Sequence, residues 1–353
     1  MFLPSEPIGS IPRPPDLIAR VSNGNGLDSE LDRHYDAATI DTIRRFEETG
    51  SPVITDGEQR KYHNFWTYAV EGLPGTSPDG FRIPFSDGHI RRMPRLVRGP
   101  FRYMRYADEY LEFALKHAHV PVKQPVISPS ALSLMYPEKE IPGYSREEFI
   151  HDLLDEHVKE VRRCLERGAH NVQIDFTEAR FAVKIDPTGE LLHSFIDLNN
   201  LALSRFSPEE RRRIGVHTCP GGDVDSTHSG DIDYAALLPS LFELNVGALY
   251  IAMAGEKDPL RALRIIRKHR KPNQHVFIGV VAPIDPRVES PEVVLDRIVQ
   301  AAEYIPADRL GTTDDCGFSP FSDDLSTSRD KAFEKIRARV VGTTLASELI
   351  TSG

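Results

Sequence analysis

A short apolar run followed by a longer amphipathic segment recurs along the chain, and this alternation constrains the fold more than any other feature. Eight such runs are candidate strands, and several are rich in Val and Ile on both faces. They are LPSEPIGS near the start, SPVITDG from Ser51, KQPVIS, HNVQIDF, IGVHTC, ALYIAM, HVFIGVV and RLGTTDD. Strands that alternate with helices form a parallel sheet, and the number eight favours closure. The sequence therefore predicts an α/β protein, a single (β/α)8 TIM barrel over residues 1–353.

The segments between the candidate strands carry helix signals. Ser145 and Glu148 form a capping box, and Gly168 suits the C-terminal stop of the same helix. An N-cap serine followed by proline marks two more helix starts, at Ser207-Pro208 and Ser290-Pro291. Further helices are predicted at 28–48, 231–244, 258–269 and 324–347.

The stretch from Gly72 to Gly99 departs from this alternation. It contains several Pro, Gly and basic residues and few periodic apolar positions. A long irregular segment inside a barrel is typical of an insertion with its own role. We expect an inserted loop or hairpin between strands 2 and 3, and a lid is one role for it.

Composition excludes several classes of protein. The chain is 40% hydrophobic with a net charge of −10, and its charges are interspersed without the basic stripe of a nucleic-acid binder. No apolar run approaches a membrane span, and the first residues lack the pattern of a signal peptide. Three widely spaced cysteines argue against a disulfide framework. We expect a soluble, cytoplasmic protein without nucleic-acid or membrane partners, and assembly into a homo-oligomer stays open.

Metal-binding residue types lie at the ends of two candidate strands, where such barrels place their catalytic groups. His217 and Cys219 end the fifth strand, and residues two apart on an extended chain project to the same face. Cys316 ends the eighth strand. One imidazole and two thiolates suit Zn²⁺, with a fourth position open to substrate. A distant cysteine can also be a small core residue, as we expect for Cys164 on the apolar side of a helix.

Three further polar residues follow candidate strands. Asp175 suits a substrate-binding carboxylate, a helix N-cap or a partner for Arg180. Glu58 suits the same role or a surface pair with Arg60 or Lys61. Ser10, in IGSIPRP, suits either a carboxylate-binding hydroxyl or a turn serine. The residues alone leave these alternatives open.

The segments IGSIPRP, TDGEQRK, QPVISPS, VQIDFTEAR, VHTCPGG, ALYIAM, GVVAPIDPRV and TTDDCGF resemble, in the same order, the C-terminal catalytic barrel of cobalamin-independent methionine synthases. The resemblance covers nearly the whole chain. It implies Zn²⁺ held by His217, Cys219 and Cys316. It also implies that Ser10, Glu58 and Asp175 hold the amino-acid end of homocysteine. The implied activity is an S-methyltransferase of methionine biosynthesis, which moves a methyl group from a methylated folate or other methyl carrier to a small-molecule thiol.

Three features depart from that family. Full-length members carry a second, N-terminal barrel, so the sequence resembles a stand-alone catalytic version. The family's zinc-binding glutamate aligns with Ala252, which has no ligand atom, and Glu256 one turn further on is a candidate fourth ligand. A family histidine near the methyl donor aligns with Ile284. The thiol side is therefore expected to be kept and the donor side to be altered.

Other functions compete with this interpretation. Epoxyalkane:coenzyme M transferases resemble the same barrel, but their sulfonate thiol has no ammonium group for Glu58 and Asp175. A metal-free barrel of the uroporphyrinogen decarboxylase type has no use for two thiolates. A zinc-storage protein would show a closed site with four protein ligands.

Overall fold

A computed structural model describes residues 2–22, 29–61, 65–88, 90–222 and 226–352. Its strands are β1 Thr76–Ser77, β2 Arg82–Pro84, β3 Ile90–Arg92, β4 Arg95–Leu96, β5 Gln124–Ile127, β6 Val172–Asp175, β7 Ile214–Thr218, β8 Ala248–Ile251, β9 His275–Val281 and β10 Leu310–Asp314. Its helices are α1 Pro15–Ser22, α2 Ser29–Glu48, α3 Asp108–His117, α4 Pro129–Ser133, α5 Arg146–Arg167, α6 Glu178–Ile185, α7 Glu190–Leu203, α8 Pro208–Arg212, α9 Leu238–Leu241, α10 Pro259–His269, α11 Pro291–Ala302 and α12 Arg329–Ser352.

A parallel sheet of six strands, in the order β5-β6-β7-β8-β9-β10, forms the centre of the fold. Nearly every residue of these strands is buried, as expected where helices cover a parallel sheet. Because all six strands run the same way, their carboxyl ends meet at one edge. The predicted α/β class is confirmed.

The first two predicted strands form single bridges instead of ladders. Ser5 bridges Thr312 of β10, and Ile54 bridges Val122 beside β5. Proline has no N–H to donate, and Pro4, Pro7 and Pro52 interrupt these two segments. The segments also meet each other, because Ile11 N donates to Gly57 O at 3.0 Å. Closure into an eight-stranded barrel stays a prediction.

Helices with strong local signals begin and end where the sequence predicts. The Ser145 and Glu148 capping box starts α5, and Gly168 ends it with a φ of 102°. Ser207 and Ser290 cap α8 and α11 as predicted. The helix predicted over 231–244 is wrong. That segment holds a 3₁₀ turn at 234–236 and the four-residue α9, since Pro239 removes an N–H that a longer helix would need.

The stretch 72–99 contains two short antiparallel ladders. β1 pairs with β4, and β2 pairs with β3. Phe85 at the tip of this segment and Phe321 after β10 pack edge to face, with ring centroids 5.7 Å apart. The segment therefore reaches the carboxyl edge of the sheet, and its function as a lid stays a prediction. Among the described residues, no helix has the length and apolar character needed to cross a bilayer.

His157 lies fully buried in the face of α5 that packs on the core, where burial lowers its pKa to about 3. An unfolded histidine titrates near pH 6.5. Between pH 6.5 and pH 3 the unfolded chain therefore binds a proton at this side chain, whereas the folded protein does not. The stability that this group contributes is present above pH 6.5 and is lost as the pH falls toward 3. We expect the wild type to lose roughly 2 kcal/mol more unfolding free energy between pH 7 and pH 5 than His157→Gln. Urea unfolding at both pH values measures the difference, and parallel losses would contradict it.

Candidate metal and thiol site

The carboxyl ends of two strands that are not neighbours, β7 and β10, bring together a histidine and two cysteines. His217 lies in β7, Cys219 follows that strand directly, and Cys316 follows β10. Their ligand atoms all lie within 4.8 Å of one another, and all three residues are buried. The Sγ atoms of Cys219 and Cys316 are 2.7 Å apart, and both cysteines are free thiols.

The imidazole of His217 is oriented by the neighbouring strand. His217 pairs in register with Tyr250 of β8, and its Nδ1 lies 3.3 Å from the Tyr250 carbonyl oxygen. A proton on Nδ1 donated to that carbonyl leaves the lone pair on Nε2. Nε2 is buried and has no hydrogen-bond partner among the described residues. A buried polar atom without a partner is costly, and a metal ion would satisfy it.

The two thiols are electrostatically unequal. Burial opposes ionisation of Cys219, but the hydrogen bond from Cys316 and the nearby His217 together lower the pKa of Cys219 well below its usual value. Burial and the neighbouring Cys219 raise the pKa of Cys316. The group thus favours one thiolate beside a thiol that donates to it, and a thiolate is the form that binds metal. An imidazole and two thiols are the ligand types that zinc prefers, so the residues fit that ion.

Glu256, the candidate fourth ligand, is not brought to this group. Its Oε1 accepts a hydrogen bond from Arg180 Nη1 at 2.8 Å. Both residues line a neighbouring cavity with about 1180 Å³ of space, part of it open to solvent. Among the described residues, the group of candidate metal ligands contains His217, Cys219 and Cys316 only.

All three predicted substrate residues lie in the same pocket as the candidate ligands. The pocket has about 410 Å³ of space, part of it open to solvent, and Ser10, Glu58 and Asp175 line it together with His217, Cys219 and Cys316. Ser10 Oγ accepts a hydrogen bond from Ser319 N at 3.2 Å, which links the N-terminal segment to the loop after β10. A Cβ at Gly317 would lie 2.1 Å from Ser10 Oγ, so only glycine permits this approach.

Glu58 is held by a tight turn and a buried lysine. Its backbone has a φ of 56°, which is unusual for a residue other than glycine. Asp56 accepts the Glu58 N–H at 2.9 Å, and Lys61 Nζ lies 2.9 Å from Glu58 Oε2. Although burial opposes it, the carboxylates of Glu58 and Asp175 raise the pKa of Lys61. The predicted surface pair is therefore wrong: Lys61 and Glu58 form a buried ion pair that fixes Glu58 at the pocket, and Arg60 pairs with Asp32 and Asp36 instead.

Asp175 neither caps a helix nor pairs with Arg180, the two structural roles that its position in the sequence also suited. Thr177 occupies the N-cap position of α6, and Arg180 pairs with Glu256. Asp175 Oδ1 accepts a hydrogen bond from Gln173 Nε2 at 2.7 Å. Burial and the neighbouring Glu58 raise the pKa of Asp175 to about 7. A cation placed between the two carboxylates would relieve their repulsion.

Sequence reasoning missed several residues around the pocket. His228 lines it after a Gly-Gly turn, and its Nδ1 lies 2.9 Å from Ser229 Oγ.

Asp315 accepts the N–H groups of Met253, Ala254 and Gly255 at 2.7 to 2.8 Å, which holds the loop after β8 beside Cys316. An aspartate directly before a strand-end cysteine was the available signal. Four aromatic rings also line the pocket: Phe65, Trp66, Phe85 and Phe321.

Cys164 lies apart from this site. It is fully buried in α5 within the main hydrophobic core, and burial raises the pKa of its thiol well above the usual value. The prediction of a buried structural thiol is confirmed.

The fold and the site define a class of protein: an α/β protein whose parallel sheet carries buried thiols and an imidazole at its carboxyl edge. The chain belongs to the cobalamin-independent methionine synthase family. The family described as "Cobalamin-independent synthase, Catalytic domain" matches residues 3–325. Members of this family are methyltransferases, and they are in general zinc-dependent.

Individual relatives and structures agree with that membership. The methionine synthase of Sulfurisphaera tokodaii is 23% identical and covers 98% of this chain and 93% of its own length. The 2-hydroxypropyl-CoM lyase of Xanthobacter autotrophicus is 31% identical over 110 residues, which are 31% of this chain and 28% of that protein. A B12-independent methionine synthase from Shewanella sp. W3-18-1, solved with selenomethionine, shares the fold with a TM-score of 0.78, at 19% identity and full coverage of both chains.

Proposed function

We propose that the protein is a zinc-dependent S-methyltransferase that converts homocysteine to methionine. The observation that carries the proposal is one pocket that holds the His217, Cys219 and Cys316 group together with two buried carboxylates. The same proposal includes closure of the sheet into a single (β/α)8 catalytic barrel. Family membership supports the methyltransferase class.

His217 Nε2 and the sulfur atoms of Cys219 and Cys316 would hold the metal. Zinc in such a site lowers the pKa of a bound thiol and so supplies a nucleophilic thiolate at neutral pH. The chain's own residues orient the histidine and exclude water. The Tyr250 carbonyl fixes the His217 tautomer, and the buried walls of the pocket exclude water from the reacting sulfur.

Ser10, Glu58 and Asp175 would hold the amino-acid end of homocysteine. Glu58 and Asp175 together provide more negative charge than the single ammonium of Lys61 balances. A substrate ammonium between them would complete that balance. The Ser10 hydroxyl accepts the Ser319 N–H and keeps its own hydrogen to donate to the substrate carboxylate.

The methyl donor would be a methylated folate or another methyl carrier. Two positions on the donor side have no polar side chain, since Ala252 and Ile284 stand where the resembling family has a glutamate and a histidine. Both residues line the larger cavity that adjoins the thiol pocket at Gly221 and Gly222. This favours an activated donor over a folate, whose amine leaving group needs a proton.

Alkyl transfer to coenzyme M is the second candidate, and the partial match to a CoM lyase favours it. A sulfonate needs a cation, however, and the described residues that line the pocket include no lysine or arginine. The same lack argues against a decarboxylase of the uroporphyrinogen type, which binds several carboxylates.

Asp175→Asn is expected to weaken homocysteine binding by roughly 1.5–3 kcal/mol, because one charge-assisted contact is removed. Zinc should stay bound, since Asp175 is not among the candidate ligands. Steady-state methylation of homocysteine and of coenzyme M by both proteins gives the KM values, and metal analysis provides the control. If the variant uses homocysteine as well as the wild type does, and coenzyme M better, the amino-thiol assignment fails.

A further inference from the structure

Four aromatic side chains form one wall of the thiol pocket. We call Phe65, Trp66, Phe85 and Phe321 the aromatic wall, and each is at most 7% exposed. The Phe321 ring contacts the other three, with centroids 5.9 Å from Phe65, 5.6 Å from Trp66 and 5.7 Å from Phe85. The rings of Trp66 and Phe85 stand nearly perpendicular to Phe321, at 85° and 87°. The rings therefore line the pocket in several orientations, and the Arg91 guanidinium, 3.9 Å from the Phe321 ring centroid, shows that this wall already packs against one cation.

The residues that line the pocket present no like charge to a positively charged donor. Glu58 and Asp175 line it, whereas the described lining residues include no lysine or arginine. Two cations lie close by but outside this lining, and both are paired: Lys61 with Glu58, and Arg91 with Asp323 and Asp324. Aromatic faces attract cations and bind methylated ammonium groups in particular, which makes this wall unsuited to an anionic donor.

The groups in the pocket also restrict how the donor can leave. A neutral amine donor such as a methylated folate would leave as a nitrogen anion unless its nitrogen is protonated. Among the described lining residues, His228 is the imidazole outside the candidate ligands. The Nδ1 atom of His228 lies 2.9 Å from Ser229 Oγ, so that nitrogen is engaged with a neighbouring hydroxyl. Asp175 is committed to the substrate ammonium in the proposed function. A donor whose leaving group departs without a proton fits these residues best.

We propose that the alkyl donor is an onium ion, a sulfonium or a quaternary ammonium, whose charged head lies against the aromatic wall. The inference rests on the proposed function for the identity of the thiol. The thiolate sulfur attacks the donor's methyl carbon, and a new S–C bond forms as the C–S or C–N bond of the donor breaks. The bonding pair stays on the leaving heteroatom, which departs as a neutral thioether or tertiary amine. The thiol has already given its proton to solvent, so no further proton moves.

Binding can be measured without turnover, because Trp66 is the single tryptophan of the chain and its fluorescence reports on the pocket. The purified protein is titrated with tetramethylammonium and with tert-butanol, a neutral molecule of similar shape. We expect tetramethylammonium to bind at least about tenfold more tightly. Phe85→Leu should weaken it roughly three- to thirtyfold and leave tert-butanol unchanged.

Phe81→Leu is the matched control for this titration. Phe81 lies in the same inserted segment, but its ring packs on Phe181 at 6.1 Å and is not part of the pocket lining. The affinity of the Phe81→Leu variant for tetramethylammonium should equal that of the wild type. Equal affinities for the cation and the neutral molecule, or equal losses in both variants, would overturn the inference.

Turnover assays separate this inference from the proposed function. Homocysteine is supplied with trimethylsulfonium, glycine betaine, methyltetrahydrofolate or methyl iodide, and methionine is measured above the uncatalysed rate. Faster turnover with trimethylsulfonium or betaine than with the folate supports the inference and identifies the onium class. Zinc-dependent turnover with methyl iodide but with neither onium ion overturns the inference and leaves the function standing. No turnover with any donor rejects both.

Discussion

Cys219→Ser is expected to lose its zinc and its methyltransferase activity together. A serine hydroxyl stays protonated where the Cys219 thiol ionises, so the site loses the thiolate that the neighbouring Cys316 and His217 stabilise. His217 and Cys316 would remain as two ligands, too few for a stable zinc site. Metal content should fall from about one zinc per chain to near zero, and homocysteine methylation should fall roughly a hundredfold or more.

Cys164→Ser is the matched control, because it makes the same chemical change away from the pocket. Cys164 is fully buried in α5, so the added hydroxyl costs roughly 1–3 kcal/mol of unfolding free energy. Zinc per folded molecule and kcat should stay at wild-type values. Metal analysis of the wild type and both variants decides the assignment, and equal zinc in all three would reject the metal site.

Elements with strong local signals were predictable from the sequence, and elements that depend on long-range pairing were not. The caps at Ser145 and Ser290 satisfy backbone groups within one turn, so they fix helix starts whatever the surroundings. The pairing of Ser5 with Thr312 joins the two ends of the chain, and apolar pattern alone does not show how prolines shorten it. In the 231–244 segment, Pro239 limits helical structure to a 3₁₀ turn and the four-residue α9.

The residues of the site also divide into those that the sequence predicts and those that it does not. Residues at strand ends were predictable, since parallel strands bring their carboxyl ends to one edge; His217, Cys219 and Cys316 meet there. Contacts through space were not predictable. No sequence pattern indicates that Lys61 is buried beside Glu58. None indicates that Arg180 pairs with Glu256 and holds it away from the ligands. The aromatic wall draws on the turn after Ile54, the inserted segment and the loop after β10, which no single motif connects.

Ala252 marks a place where a fourth ligand can be tested directly. It is 3% exposed, directly follows β8, and packs with Cys219 and Cys316 in one small cluster. It also borders the cavity of about 1180 Å³, so a longer side chain has room to extend. A carboxylate at this position would lie beside the thiolate of Cys219 when no metal is present.

Ala252→Glu is therefore expected to lower the stability of the zinc-free protein and to recover part of that loss when zinc binds. Without metal, a buried carboxylate beside a thiolate should lower the unfolding free energy by about 3 kcal/mol or more. With zinc, the same carboxylate can complete the ligand set, and the zinc Kd should fall at least about tenfold, which adds about 1.4 kcal/mol of zinc-dependent stability.

Ala252→Gln is the matched control, of equal size but neutral. It should lose less stability without zinc and gain less zinc affinity than the glutamate variant. Thermal unfolding and chelator competition measure both quantities. Equal zinc affinities for the glutamate and glutamine variants would mean that position 252 does not face the metal, because only the carboxylate is a good zinc ligand.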